Sequence, residues 1–547
     1  MKIAVEGCAH GELETIYSAL ENIQRRDNIK IDLLLCCGDF QAVRNEVDLA
    51  CMAVPLKYRE MCSFYKYYSG EKKAPILTIF IGGNHEASNH LWELPFGGWV
   101  APNIYYLGYS GVVNFGGFRI AGLSGIFKSH DYNKGHYEAP PFDQGTVRSI
   151  YHVRSLDVFK LKLLTRPVDI AMSHDWPKGV YHYGNLNELY RWKGFLRPEI
   201  ENDTLGSYAA QEVLKSLQPD FWFSAHLHCR FPAQVTHSQT GKVTNFLALD
   251  KCLPRRKYLE VIDVGPPKGP MELSYDPEWL AITKSTLPLF NTEPGNTKLP
   301  FRESIVTSLK PNVEAIKAVQ ELFEGDLRIP ENFTQNVPLY NPDRHQKHVQ
   351  VTAGKNPQTD TFCQRLRIRN PFWATDVSGD KNPDEISLSD EGEGDDLEAS
   401  NYPSSIQASL PHTESGRGKV SSENPDEIII IVSDEDKPSD NLAVCLPAPL
   451  HTPAQVALPS SNPDEIGFAD DCKETESQFS DFPVPLPPKL DPCSSLAKEP
   501  ETNGKEEEVA KIEGRRSDSE PPQKMFKLVR RNQNMYSTTE DSDEEKP

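Results

Sequence analysis

Short, nearly unbroken apolar runs punctuate the first half of the chain, and each ends abruptly in a polar residue. Lys2-Ile3-Ala4-Val5-Glu6-Gly7 runs into Cys8-Ala9-His10, and Ile31-Asp32-Leu33-Leu34-Leu35-Cys36-Cys37 into Gly38-Asp39. Ile76-Leu77-Thr78-Ile79-Phe80-Ile81 runs into Gly82-Gly83-Asn84-His85-Glu86. Further on, Val168-Asp169-Ile170-Ala171-Met172 leads to Ser173-His174-Asp175, and Phe221-Trp222-Phe223 to Ser224-Ala225-His226-Leu227-His228. Runs without alternation predict strands buried on both faces. Between them the period turns helical. Leu13, Ile16, Leu20 and Ile23 line one face over 12–26, and Val213, Leu214 and Leu217 line one face over 208–217. A long helical stretch is expected over 44–68, interrupted at Pro55, with another helix closing over 160–166. Residues 112–122 predict a hairpin turning at Gly116-Gly117, 243–249 and 258–264 further strands, and 92–102 a loop. Strands alternating with helices predict a layered α/β fold with the sheet inside.

All five runs end in residues that bind metals. In α/β folds, sites form at the carboxyl ends of strands. His226-Leu227-His228 alone would pass for two loop histidines, but five such endings do not follow from packing. The set resembles the calcineurin-like metallophosphoesterases, whose pattern is Asp-x-His, Gly-Asp, Gly-Asn-His-Glu or -Asp, a single His, then Gly-His-x-His. Three positions depart from it. Cys8 stands for the usual Asp, Ala225 for the usual Gly, and no acidic residue follows in Gly38-Asp39-Phe40-Gln41-Ala42-Val43-Arg44. The cysteine is similar to that of one branch, the RNA lariat debranching enzymes. So are Gly38-Asp39-Phe40-Gln41-Ala42-Val43-Arg44-Asn45, Ser173-His174-Asp175-Trp176-Pro177 and Phe246-Leu247-Ala248-Leu249-Asp250-Lys251-Cys252-Leu253-Pro254.

The resemblance implies a metallophosphoesterase β-sandwich flanked by helices, with a smaller C-terminal region and a long disordered acidic tail. It implies a catalytic domain over 1–253, a debranching-enzyme C-terminal domain over 254–372 and the tail over 373–547. By the family pattern, Cys8, His10 and His228 hold one divalent cation, Asn84, His174 and His226 a second, and Asp39 bridges them. Water activated between the cations is the nucleophile, and His85 is the general acid. Asp175 and Glu86 are expected to orient histidines. One or two ions are expected. A thiolate favours Fe(II) or Zn(II) over harder cations, with Mn(II) as an alternative.

Residues 125–154 differ in kind from their surroundings. Aromatic and cationic residues interleave there, as splayed RNA bases and phosphates require. The candidates for substrate contact are Lys128, His130, Tyr132, Tyr137, Arg148, Tyr151, His152 and Arg154. In the debranching branch a lariat-recognition loop occupies this position.

Charge and composition change the picture mainly after residue 276. The net charge of −21 falls almost wholly on the second half, leaving the first half free to bind a polyanion. Beyond about residue 375 Ser, Pro and acidic residues dominate, as in disordered chains. Asn-Pro-Asp-Glu-Ile recurs at 382–386, 424–428 and 462–466. The second copy continues into Ile429-Ile430-Ile431-Val432-Ser433-Asp434-Glu435-Asp436, which resembles a binding motif for small ubiquitin-like modifiers. Basic residues at Arg515, Arg516, Lys524, Lys527, Arg530 and Arg531 could serve nuclear import. The eleven cysteines have no regular spacing, the N-terminus lacks a secretory apolar segment, and no apolar stretch is long enough to span a bilayer. An intracellular protein with reduced thiols is expected, acting in the nucleus and shuttling to the cytoplasm.

The expected activity is hydrolysis of the 2′-5′ bond in excised intron lariats. The expected partners are branched RNA and, through the tail, small ubiquitin-like modifiers or splicing-related proteins, with no membrane and no DNA. Two other functions fit the same residues: a general metallophosphoesterase, and a non-catalytic RNA-binding scaffold. The ligand set disfavours the scaffold, and the 125–154 loop disfavours a phosphoprotein substrate.

Overall fold

The computed structural model describes residues 1–343 and 350–373. In chain order its strands are β1 (Lys2–Glu6), β2 (Leu33–Cys36), β3 (Thr78–Phe80), β4 (Gly98–Ala101), β5 (Ile104–Tyr106), β6 (Ser110–Phe115), β7 (Phe118–Leu123), β8 (Ile170–Ser173), β9 (Phe221–Ser224), β10 (Phe231–Thr236), β11 (Val243–Ala248), β12 (Leu259–Asp263) and β13 (Ser274–Tyr275). They form two sheets, ordered β12-β1-β2-β3-β5-β4 and β10-β11-β9-β8-β7-β6-β13. Each sheet is parallel at its centre and antiparallel at its edges.

Alternation along the strands explains the layering. Ile3, Val5, Leu33, Leu35 and Ile79 meet Ile120, Ile170, Met172 and Phe223 between the sheets. Ala4, Leu34, Cys36 and Phe80 face the other way, against Leu13, Ile16 and Leu20 of the helix Leu13–Asp27. Both faces are therefore buried, which is why the runs are unbroken. The adjacent Cys36 and Cys37 fill the two layers, one each. The outer face of the second sheet is covered by helices Ser155–Lys162 and Tyr208–Leu217.

Several local expectations change. The helix expected over 44–68 is three short pieces, Glu46–Ala50, Leu56–Tyr58 and Phe64–Tyr68. The interruption falls between Cys51 and Ser63, with Pro55 in extended backbone capping the second piece, while buried Arg44 precedes the first piece with its guanidinium on Asp48 and Glu93. The loop expected over 92–102 contains β4, and β5 follows it. The helix expected to close at 166 lies earlier, at Ser155–Lys162. Strand β10 was missed, because Phe231, Ala233 and Val235 alternate with exposed polar or proline positions rather than forming a run.

The residues after 254 do more than pack against the first part. They supply an antiparallel edge strand to each sheet, β12 beside β1 and β13 beside β6. Arg119 of β7 binds Asp276 and Glu278 in a buried cluster, each contact at 2.8 Å. Among the described residues no helix is long and apolar enough to cross a membrane. The tail repeats, the modifier-like motif and the basic clusters lie outside the described residues.

Candidate metal centre

Strands β1, β2 and β3 of one sheet and β8 and β9 of the other deliver their carboxyl ends to one place. The chain turns sharply after β1, β2 and β9. His10, Asp39, His226 and His228 all adopt left-handed backbone angles, with φ of 45°, 44°, 63° and 49°. Such non-glycine conformations cost on the order of 1–3 kcal/mol each and persist where the surroundings hold them. Here backbone bonds between strand ends do so. The His10 N–H donates to the Asp39 carbonyl at 2.6 Å, and the Ala225 N–H to the His174 carbonyl at 3.0 Å.

The candidate ligand atoms of Cys8, His10, Asp39 and His228 lie within 4.8 Å of one another. Asp39 faces two ways. Its Oδ2 lies 3.7 Å from His10 Nε2 and its Oδ1 3.3 Å from His174 Nε2. His174 Nε2 is also 3.2 Å from Asn84 Oδ1, and the His174 and His226 rings are 4.9 Å apart. All seven predicted ligands therefore adjoin one another, in two groups sharing the Asp39 carboxylate. His85 adjoins the group, half-buried, its ring centroid 5.2 Å from that of His10. Its backbone N–H donates to Asp39 Oδ1 at 2.9 Å, while its ring makes no hydrogen bond among the described residues.

Electrostatics test whether cations suit this cavity. His10 Nε2 and His228 Nδ1 are buried without a hydrogen-bond partner, a costly state that a cation would relieve. Burial drives His10 down to about 3 and His226 to about 4, and holds His228 well below the usual histidine range. Neutral imidazoles keep the lone pairs that ligation needs. Burial, then the charges of Asp39 and Glu6, push the Cys8 thiol up. A divalent cation reverses that by holding the thiolate directly. The His226 N–H already points at Cys8 Sγ, 3.3 Å away. Burial opposes charge on Asp39 and His174 alike, but their mutual attraction outweighs it, lowering Asp39 and raising His174 to about 9. A proton on His174 Nε2 and a cation would compete for one lone pair. His174 Nδ1 is engaged by the Cys37 carbonyl at 2.8 Å, which leaves Nε2 toward the site. The donor set fits divalent cations.

Supporting groups divide differently from expectation. Asp175 lies 3.6 Å from His226 Nε2 and accepts the Phe127 N–H at 2.8 Å, so it can orient a ligand. Among the described residues Glu86 makes no hydrogen bond or ion pair to a histidine. It accepts N–H groups of Phe40, Gln41 and Gly83, tying the β2 and β3 endings together, and burial raises it to about 7. The group that steadies His10 is Gln41, whose Nε2 is 3.2 Å from His10 Nδ1. Its presence at the position following Gly38-Asp39-Phe40 was the available signal.

The 125–154 loop is rooted in the site through Asp175 and through the Gly125 N–H on the Gly82 carbonyl, at 2.8 Å. Its candidate residues separate by depth. Arg154 is fully buried, its guanidinium spent on Glu138 and on the carbonyls of Asp131 and Ser149. His152 binds Asp131 at 2.6 Å, and Tyr151 packs with Trp92, Ile126 and Ile150. This departs from their expected place on the loop's surface: Arg154 is wholly buried, and Tyr151 and His152 nearly so, building the loop from within. Lys128, Tyr132, Tyr137 and Arg148 are half-buried and His130 is exposed, so the loop's outer face is theirs.

Residues 1–230 match the family model described as calcineurin-like phosphoesterase, and 241–371 the one described as lariat debranching enzyme, C-terminal domain. The chain is 46% identical over 562 residues to the lariat debranching enzyme of Gallus gallus, with all of both chains covered. It is 45% identical to that of Homo sapiens, over 98% of each chain, and 52% identical to that of Danio rerio, over 79% of this chain and 76% of the relative.

Proposed function

The chain belongs to the lariat debranching enzymes, and we propose that its metal centre hydrolyses the 2′-5′ phosphodiester at the branch point of excised intron RNA. It is a metal-dependent phosphodiesterase of the calcineurin-like kind, acting on lariats. The observation that carries the finer reading is the meeting of a thiol, a carboxylate and two imidazoles within 4.8 Å, with two orphaned imidazole nitrogens among them.

Cys8, His10 and His228 would hold one cation and Asn84, His174 and His226 another, with Asp39 serving both. Bound divalent cations supply Lewis acidity and lower the pKa of water to near neutrality. Thiolate softness supports Fe(II) or Zn(II), with Mn(II) as the alternative. His85, with its ring uncommitted beside the ligands, gives a proton to the departing 2′-oxygen as the P–O2′ bond breaks. Water oxygen ends on phosphorus, leaving a 5′-phosphate and a free 2′-hydroxyl. The outer face of the 125–154 loop, through Lys128, His130, Tyr132, Tyr137 and Arg148, would grip the RNA. The basic clusters near the C-terminus support a nuclear location, and the Ile429–Asp436 run supports binding of a small ubiquitin-like modifier.

The test offers purified protein, loaded with defined metals, a branched oligonucleotide, its linear 3′-5′ analogue and a generic phosphoester. Cleavage confined to the 2′-5′ bond is expected. Equal turnover of all three would make this a general phosphoesterase, and RNA binding without cleavage a scaffold.

A further inference from the structure

One cation at the metal centre has no assigned task. Lys251 lies directly beside Cys8, in a parallel bridge, with the Cys252 N–H on the Cys8 carbonyl at 3.0 Å. Its side chain is half-buried, and its ammonium makes no hydrogen bond or ion pair among the described residues. Its charge is felt at Cys8, His10 and His228. With no carboxylate oxygen paired to it, an ammonium at this edge is placed to take an anion that reaches the centre. Behind it, Lys193 is only 3% exposed and likewise forms no hydrogen bond or ion pair through its ammonium. It sits close enough to Cys229, Asp250 and Lys251 to feel their charges. The carboxylate whose charge Lys193 feels, Asp250, is occupied by Arg256 at 3.4 Å and by the Lys251 N–H at 2.7 Å.

Lys193 leads outward to two exposed aromatics. Trp192 is 66% exposed and Phe195 49%. Single exposed apolar residues are ordinary, but these two carry cations over their rings. The Arg191 guanidinium is 5.5 Å from the Trp192 centroid and the Lys193 ammonium 5.9 Å from that of Phe195. Aromatic faces beside cations are what a single strand of nucleic acid stacks on. The 125–154 loop is joined to the His226 group of ligands, whereas Lys251 adjoins the His10 and His228 group. A branch joins three strands, so one loop does not account for all of them.

We propose that one arm of the branched RNA leaves the metal centre over its His228 edge, with a phosphate on Lys251 and bases stacked on Trp192 and Phe195. This rests on the debranching function. Two branched substrates test it, identical at the branch, one with single-nucleotide arms and one with arms of several nucleotides. Trp192→Ala and Phe195→Ala should each raise KM for the long-armed substrate about tenfold, and for the short-armed one less than about twofold, with kcat held within about twofold. Lys251→Gln should raise KM for both and reduce the slope of log KM against log salt by about 0.7, the share of one phosphate contact on a single strand. Lys251→Arg should restore most of the affinity. Lys30→Gln, the same charge change at an exposed remote position, should alter neither. The proposal is overturned if the arm-length dependence survives both aromatic substitutions, as it would if this surface served a protein partner. It is also overturned if Lys251→Gln loses metal, or lowers kcat with KM unchanged, which would assign Lys251 to the metal centre's own electrostatics. Failure of the wild type on both substrates, with a generic phosphodiester still hydrolysed, sinks the debranching function and the arm with it. Variant results on a cleaving enzyme bear on the arm alone.

Discussion

Gly83→Ala should disable the centre while Gly82→Ala, one residue earlier, should not. A methyl at Gly83 would fall inside contact distance of Asp39 Oδ1 and of the Asp39 backbone nitrogen, and 2.8 Å from His174 Nε2. A methyl at Gly82 would meet Leu91 at 3.3 Å and Ser124 at 3.6 Å, contacts that small side-chain shifts absorb. Neither glycine has a positive φ, so space rather than backbone strain separates them. Relieving the Gly83 overlap takes a shift on the order of 1 Å in Asp39 or His174. Ligand distances tolerate only about 0.2 Å, and a displacement of about 1 Å at a reacting centre costs on the order of 100-fold in rate. Overpacking adds about 1–3 kcal/mol of lost stability. Bound metal by elemental analysis, kcat on a branched oligonucleotide and denaturant unfolding report these separately. We expect Gly83→Ala to lose at least about 100-fold in kcat together with metal, and Gly82→Ala to stay within about threefold. Full metal and normal turnover in Gly83→Ala would show that the β3 ending yields freely, and that the spacing around Asp39 is not what holds the ligands.

His85→Ala should retain metal and RNA affinity while turnover falls by about 10²–10⁴-fold; metal lost alongside activity would make His85 a ligand. Cys8→Asp exchanges a soft donor for a hard one and should shift activation toward Mn(II), as read from metal content and activation profiles; unchanged profiles would remove the thiolate from the ligand set. Burial opposes ionisation of Asp48, but Arg44 outweighs it and lowers its carboxyl. Its stabilisation is therefore complete above about pH 4 and is lost as pH falls through the lowered value. Asp48→Asn should cost about 3 kcal/mol near neutrality and progressively less in acid, measured by denaturant unfolding across pH; a pH-independent difference would refute the ionic account.

That these seven residues would meet was legible because each follows an apolar run. A strand buried on both faces announces itself locally, and the residue after it is the one that meets the site. The same logic failed for Arg44 and β10. Arg44 looked like part of a helical stretch, yet its partners Glu93 and Asn336 are 49 and 292 positions away. In β10 only one face is buried, so no run appears.

In the 125–154 loop, composition marked candidates for substrate contact but not which of them face outward. Arg154 and His130 are both polar nitrogen side chains of the same segment, and one is buried against Glu138 while the other faces solvent. Residue type and local period thus told which chemistry this chain carries and where its strands end. Which side chains face the cavity, that Gln41 rather than Glu86 steadies His10, that Lys251 lies beside Cys8, and that residues after 254 complete both sheets came from contacts between distant segments. Periodicity reports a residue's own neighbourhood, whereas burial and charge pairing are set by whatever the rest of the chain brings against it.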